Sequence, residues 1–381
     1  MQEAHLQATE TRRSRFSAVV IKDQYVVWYE DLDASSKSLV GGKFESLAEM
    51  ALADFAVPVA FAITTTAYDR FMDDNDLHQQ ARDVLDIDVS DLAAISQASR
   101  EMMTAITAAP IPEAVETNIR NAYQRLADEA GESDPPVAVR SSGVAEDLAG
   151  ASFAGQYETY LWVVGIDAVL ENVRKCWAGL FGEAVLTYHP ESLGSDRSQE
   201  AMGMGVVVQR MINARTAGVT FTLDPVNGDR SKIVIEGAWG LGEAIVSGEV
   251  TPDRFRVDKV TFEVIERAIS DKHVQFAFDP ENGPSLIPVP DDLRNETSLT
   301  DDDVIALAQL AKSIERHRGA PQDMEWAIDQ QGRIALLQVR PETVWSQRAT
   351  TTGAATPTSA MDLIFGQFMG ATGTKGTGSD T

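Results

Sequence analysis

Three places in this chain gather side chains able to handle a phosphorylated substrate. The first is Ala138-Val139-Arg140-Ser141-Ser142, followed fifteen residues after the arginine by Gly155-Gln156. A short β-branched run ends in a planar guanidinium that can grip phosphate oxygens from two directions, and two hydroxyls follow it. The small-residue loop beyond offers backbone N–H groups to an anion. Two readings are open: a phosphate clamp, or an arginine that caps a carboxylate beside an ordinary turn from Ala151 to Gly155. The second place is Lys43, behind Gly41-Gly42. Phe44, Leu47, Ala48 and Ala51 follow with helical spacing, so Lys43 stands at a helix start, where unpaired N–H groups favour anions. Alone, it also reads as a solvated lysine.

The third place is a hairpin. Met324 to Ile328 and Ile334 to Arg340 read as strands around a turn at Asp329-Gln330-Gln331-Gly332. Period-two geometry puts Asp323 and Glu325 on one face of the first strand, and Gln338 and Arg340 on one face of the second. Folding about the turn centre predicts Asp323 opposite Gln338, with Glu325 on the diagonal. Two carboxylates, an amide oxygen and a guanidinium then share a face. Such oxygen donors suit Mg2+, which keeps several waters and combines one or two carboxylates with substrate phosphates. A surface strand pair with a plain Glu–Arg contact is the alternative.

The elements that position these groups divide a 381-residue chain, long enough for two or three domains with sizeable cores. Residues 1–17 read as a polar tail, before Ala18-Val19-Val20-Ile21 and Tyr25-Val26-Val27-Trp28-Tyr29 open the fold. A first subdomain is expected over 18–200, including a helical part at 69–130 where Pro110 and Pro112 separate two helices. A second α+β subdomain over 201–345 carries the hairpin. Residues 346–381 are Gly/Thr-rich, a composition that buries too little apolar surface to order itself. The formal net charge of -26 argues against nucleic acid or an anionic membrane as partner. Cys176 is the only cysteine, and neither a signal peptide nor a membrane span is legible, so a cytoplasmic protein is expected.

Five blocks in order resemble one family, the nucleotide-binding part of the phosphoenolpyruvate synthase and pyruvate phosphate dikinase enzymes. They are Val40-Gly41-Gly42-Lys43-Phe44-Glu45-Ser46, Ile63-Thr64-Thr65-Thr66-Ala67-Tyr68, the Arg140 segment, Trp239-Gly240-Leu241-Gly242-Glu243, and Asp323-Met324-Glu325-Trp326 with Leu337-Gln338-Val339-Arg340-Pro341-Glu342-Thr343. The resemblance implies an ATP-grasp-like α+β fold of two subdomains with ATP between them. It implies that Lys43, Arg140, Gly155, Thr159, Gln209 and Arg340 hold the nucleotide, with Lys43, Arg140 and Arg340 assisting phosphoryl transfer. Glu325 and Gln338 would hold Mg2+, and the Gln209 amide could read a base edge. Thr159 is otherwise a strand threonine, and Gln209 the end of a buried strand. Departures from the family pattern are Ala60 in place of glycine, and Gly143-Val144 where Ala-Thr is more usual. Both touch loop shape rather than the site.

Members of this family make AMP and orthophosphate and pass a phosphoryl group to a histidine on a swivelling domain. His5, His78, His189, His273 and His317 all lie outside any threonine-rich loop of the kind that carries that histidine. The expectation is therefore an ATP-binding subunit that works with a histidine-bearing partner subunit. This division is similar to that in phenylphosphate synthase, with phenol as the final acceptor. Pyruvate or an antibiotic hydroxyl as acceptor, and a non-catalytic ATP-sensing module, are the alternatives.

Overall fold

The computed structural model describes residues 24–143, 158–187, 203–279, 283–342 and 345. Gly155, the run Ala18-Val19-Val20-Ile21 expected to open the fold, and both tails lie outside the described residues.

Strands β1 (Val26–Trp28), β2 (Ala60–Ile63), β3 (Val137–Gly143), β4 (Thr159–Val163) and β5 (Met204–Arg210) form one antiparallel sheet in the order β1-β2-β5-β3-β4. The chain continues through β6 (Ala214–Phe221), β7 (Lys232–Trp239), β8 (Asp253–Asp258) and β9 (Val264–Ala268). A separate hairpin, β10 (Val274–Asp279) and β11 (Gly283–Pro288), precedes the closing pair β12 (Gln322–Asp329) and β13 (Ile334–Pro341). The second sheet is antiparallel in the order β13-β12-β6-β7-β8-β9. The fold is α+β. The break expected at residue 200 is corrected by β5, which lies between β2 and β3 and thus belongs to the first sheet. The chain crosses to the second sheet after Arg210, because Val206 and Val208 are committed to the first core.

Alternation along the strands sorts the faces. Phe61, Ile63, Val137, Val139, Val206 and Val208 point into a core shared with the helices Thr65–Asp74, Leu92–Ala108, Glu113–Ala130 and Ile166–Gly179. Pro110 and Pro112 stand between the second and third of these, as expected. On the opposite face Ala60, Ala62 and Val207 meet Val40, Phe44 and Ala48 of the helix Lys37–Leu52. The second sheet packs Ile233, Ile235, Phe255, Met324 and Trp326 against the helix Asp301–Arg318. That helix starts at a Thr300–Asp303 capping box, carries three aspartates in its first turn and stops at Gly319 in the left-handed region.

The helix Lys37–Leu52 touches both sheets. Its Met50 enters the second core, Ser46 Oγ donates to the Val339 carbonyl at 2.5 Å, and Arg318 Nη2 donates to Ser46 Oγ at 2.8 Å. Its helical path breaks at Gly41 (φ 72°), where an added Cβ would lie 2.3 Å from the Ser142 carbonyl oxygen. Lys43 therefore begins a fresh helical segment, held against the end of β3.

The hairpin register differs from the expected one. Asp323 pairs with Arg340 and Glu325 with Gln338, whereas Trp326 pairs with Leu336. Two local features shift it. The Asp329 carboxylate accepts from the N–H groups of Gln331 and Arg333, which centres the turn on Gln331. Leu337 is then an extra residue, a β-bulge opposite the Glu325–Trp326 step. Among the described residues no helix is long and apolar enough to cross a membrane.

Candidate functional site

The two sheets border a cavity of about 780 Å3. Lys43, Arg140, Thr159, Gln209, Glu325, Gln338 and Arg340 all line it. Strand geometry explains the convergence from the first sheet. Ala138, Arg140 and Gln209 share the face that the helix Lys37–Leu52 covers only in part, and Arg140 pairs directly with Thr159 on β4 and Val207 on β5. Glu325 and Ala327 come from the face of β12 opposite Met324 and Trp326, which are buried in the second core.

Arg140 crosses the gap between the sheets. Its Nη2 donates to Gln338 Oε1 at 2.6 Å and to Glu325 Oε2 at 3.3 Å, while Nη1 donates to Gln209 Oε1 and the Leu337 carbonyl, both at 3.3 Å. An arginine capping a carboxylate, one of the two readings open from the sequence, is thus present as a contact across two sheets. Gln209 is buried, and its Nε2 donates to the Leu337 carbonyl at 3.4 Å. Lys43 Nζ donates to the Ser141 carbonyl at 2.8 Å, one residue from Arg140.

The carboxylates of the site differ in their surroundings. Burial pushes Asp323 up to about 7, with Arg340 opposing and Glu342 adding to the rise. Arg340 Nε lies 3.7 Å from Asp323 Oδ2, while Asp323 Oδ1 is buried with no hydrogen-bond partner. Glu243 is raised above the ordinary carboxylate range by burial and by the Glu325 charge, against the pull of Arg140. Glu243 sits on the cavity wall with Leu241 and Gly242. The sequence reading quoted its block but gave this carboxylate no role. The signal was its place three residues after Gly240, whose φ of 79° lets Leu241 N–H reach the Phe276 carbonyl at 2.7 Å.

The other end of the cavity is apolar. Leu161, Met211, Ile212, Ala217, Leu241 and Leu337 form it, drawn from both sheets and from the crossing between them. Leu241 and Leu337 fall in blocks quoted from the sequence but had no role there, and the other four escaped notice, since scattered apolar side chains carry no spacing signal. Beside this end, Trp162 (φ 56°) sits in a bulge of β4, with its indole stacked on Phe278 of the β10–β11 hairpin at 5.1 Å.

Fold and cavity define a two-sheet α+β protein whose intersheet cleft has a charged, oxygen-rich end and an apolar end. Residues 37–360 match the family described as the pyruvate phosphate dikinase AMP/ATP-binding domain, and the chain belongs to that family. It is similar to a probable phosphoenolpyruvate synthase of Methanothermobacter thermautotrophicus, 41% identical over 335 residues that cover 87% of this chain and 47% of the relative. Phosphoenolpyruvate synthase of Pyrococcus furiosus is 36% identical over 368 residues, 86% of this chain and 45% of the relative. The chain spans less than half the length of these two relatives. Among solved structures, D-alanyl-alanine synthetase A of Vibrio cholerae overlaps 66% of this chain and 56% of its own at 13% identity and a TM-score of 0.25, too slight a likeness to carry an argument.

Proposed function

We propose that this chain is the nucleotide-binding part of a dikinase-type phosphotransferase and holds Mg-ATP between its sheets in an ATP-grasp-like manner. The observation that carries the reading is the meeting of Lys43, Arg140, Gln209, Glu325, Gln338 and Arg340, from distant segments, at one end of a cavity whose other end is apolar. Lys43, Arg140 and Arg340 grip the phosphates, Thr159 and Gln209 support the nucleotide, and Leu161, Met211, Ile212 and Leu241 flank the base. Gly155, outside the described residues, belongs to the same proposal as a nucleotide-binding residue.

The donor set fits a hard divalent cation. Glu325 and Gln338 present oxygens that already hold a cationic group, the Arg140 guanidinium. Among the described residues no three His, Cys, Asp or Glu side chains gather as a metal cluster, so the nucleotide phosphates complete the set. Bound there, Mg2+ neutralises phosphate charge. The chain's own part is positioning: three cations fix the phosphoryl groups in line for an incoming nucleophile, and the cleft keeps water from replacing it.

That nucleophile is a histidine outside the cavity. Among the described residues His78, His273 and His317 lie beside Asp73, Asp271 and Glu49, and none lines the cleft. A histidine-bearing partner subunit would supply it, yielding AMP and orthophosphate, with phenol as final acceptor in the manner of phenylphosphate synthase. A second reading takes pyruvate as acceptor, and the names of the two relatives favour it. ATP labelled at the β-phosphorus tests both. With a histidine-bearing partner, label is expected on the partner as acid-labile phosphohistidine, then on phenol or pyruvate, whichever is supplied. Label held covalently by this chain, or ADP as the stoichiometric product, would refute the proposal.

A further inference from the structure

One guanidinium holds both side chains assigned to the cation. Arg140 Nη2 reaches Gln338 Oε1 at 2.6 Å and Glu325 Oε2 at 3.3 Å, and the arginine side chain is only 12% exposed. Mg2+ requires its oxygens at about 2.0–2.1 Å in near-octahedral geometry. A guanidinium nitrogen between the same two oxygens leaves no room for that. A cation arriving alone would have to break two charge-assisted hydrogen bonds and leave a nearly buried arginine without them, which is costly. A polyanion changes the balance. Phosphate oxygens entering the cleft give the planar fork a stronger acceptor, and its departure frees Glu325 and Gln338 in the same step.

We infer that Arg140 and the divalent cation are alternative occupants of Glu325 and Gln338, so the metal enters with the nucleotide and not ahead of it. The inference rests on the nucleotide site proposed above and adds an order of binding to it. Gln209 and the Leu337 carbonyl hold the other guanidinium nitrogen, so the arginine pivots about a fixed edge.

The test uses the full chain and Mn2+ as a paramagnetic probe, titrated alone and then with a non-hydrolysable ATP analogue. Wild type alone should bind Mn2+ weakly. Arg140→Gln should bind the metal alone more tightly by roughly ten- to a hundredfold, the equivalent of a charge-assisted hydrogen bond. Arg140→Lys keeps the charge but cannot bridge both oxygens, and should show part of that gain; it carries the test if the glutamine variant fails to fold. Arg210→Gln removes a cavity-lining cation that is paired with Glu132 at 2.7 Å, and should leave the metal affinity unchanged. An equal gain in the Arg140→Gln and Arg210→Gln variants would overturn the inference, since net charge alone would explain it. So would wild type binding Mn2+ alone as tightly as Arg140→Gln. The site reading fails separately, if Glu325→Gln retains the full Mn2+ affinity in the presence of the analogue.

Discussion

Glu236 gives a stability prediction with a sign and a size. It lies on β7, opposite Val219 on β6 and Arg254 on β8, and its Oε2 is buried with no hydrogen-bond partner. Burial raises it from the ordinary 4.5 to about 7, with Arg254 pulling the other way. The folded protein therefore keeps a proton that the unfolded chain releases. Its stability contribution is fully present below pH 4.5 and is lost as pH rises through 7. The whole gap corresponds to about 3 kcal/mol, of which about 2 kcal/mol falls between pH 5.5 and 8.5. Glu236→Gln keeps the shape and cannot ionise, so it removes that slope. Thermal melts of both proteins across this range should show the variant gaining on wild type by about 4–8 °C from the acid end to the alkaline end. Parallel curves would refute the argument, because they would mean that Glu236 is already ionised in the fold.

Four other substitutions follow from named contacts. Lys43→Ala and Arg140→Ala should each weaken ATP binding by about 1.5–3 kcal/mol, measured by calorimetry at saturating Mg2+, as a charge-assisted phosphate contact is lost; unchanged affinity in both would remove them from the site. Gly41→Ala forces a Cβ to within 2.3 Å of the Ser142 carbonyl oxygen at a positive φ, so a loss of about 1–3 kcal/mol in chemical denaturation is expected, together with weaker nucleotide binding through Lys43. Lys272 and Asp253 form a fully buried pair at 2.6 Å, and Asp253 also accepts from the Ser270 and Ser298 backbone N–H groups. Lys272→Met strands that carboxylate and should cost about 3–5 kcal/mol by denaturant titration, whereas a surface pair such as Lys37–Glu45 should cost under about 1 kcal/mol.

What the sequence revealed and what it withheld divide along the range of the interactions. Helical spacing after Gly42, the prolines between the helices at Leu92–Ala108 and Glu113–Ala130, and the alternation in β12 and β13 are local signals, and each element forms. Strand β5 was legible as a strand but not as a member of the first sheet, because its partners β2 and β3 lie more than sixty residues away and pairing leaves no mark on the strand itself. The left-handed Trp162 is another case. Nothing in Tyr160-Leu161-Trp162-Val163 calls for a positive φ; the bulge against β3 and the stack on Phe278 impose it from outside.

The hairpin shows how a small register error bears on chemistry. A symmetric turn would pair the residues of β12 and β13 one to one along the whole hairpin. Instead the Asp329 turn and the extra residue Leu337 shift the pairing, so that Glu325 stands directly opposite Gln338. Cross-strand neighbours on one face are close enough for their oxygens to meet at one cation, which the diagonal arrangement expected from the sequence makes harder. Leu337 is the bulged residue itself, and its carbonyl receives both Arg140 Nη1 at 3.3 Å and Gln209 Nε2 at 3.4 Å. One inserted residue thus aligns two oxygen donors on the second sheet and supplies the acceptor on which the first sheet's arginine rests. Bulges beside functional sites re-aim groups in this way, and their position depends on turn closure and packing that no residue pattern within the strand encodes.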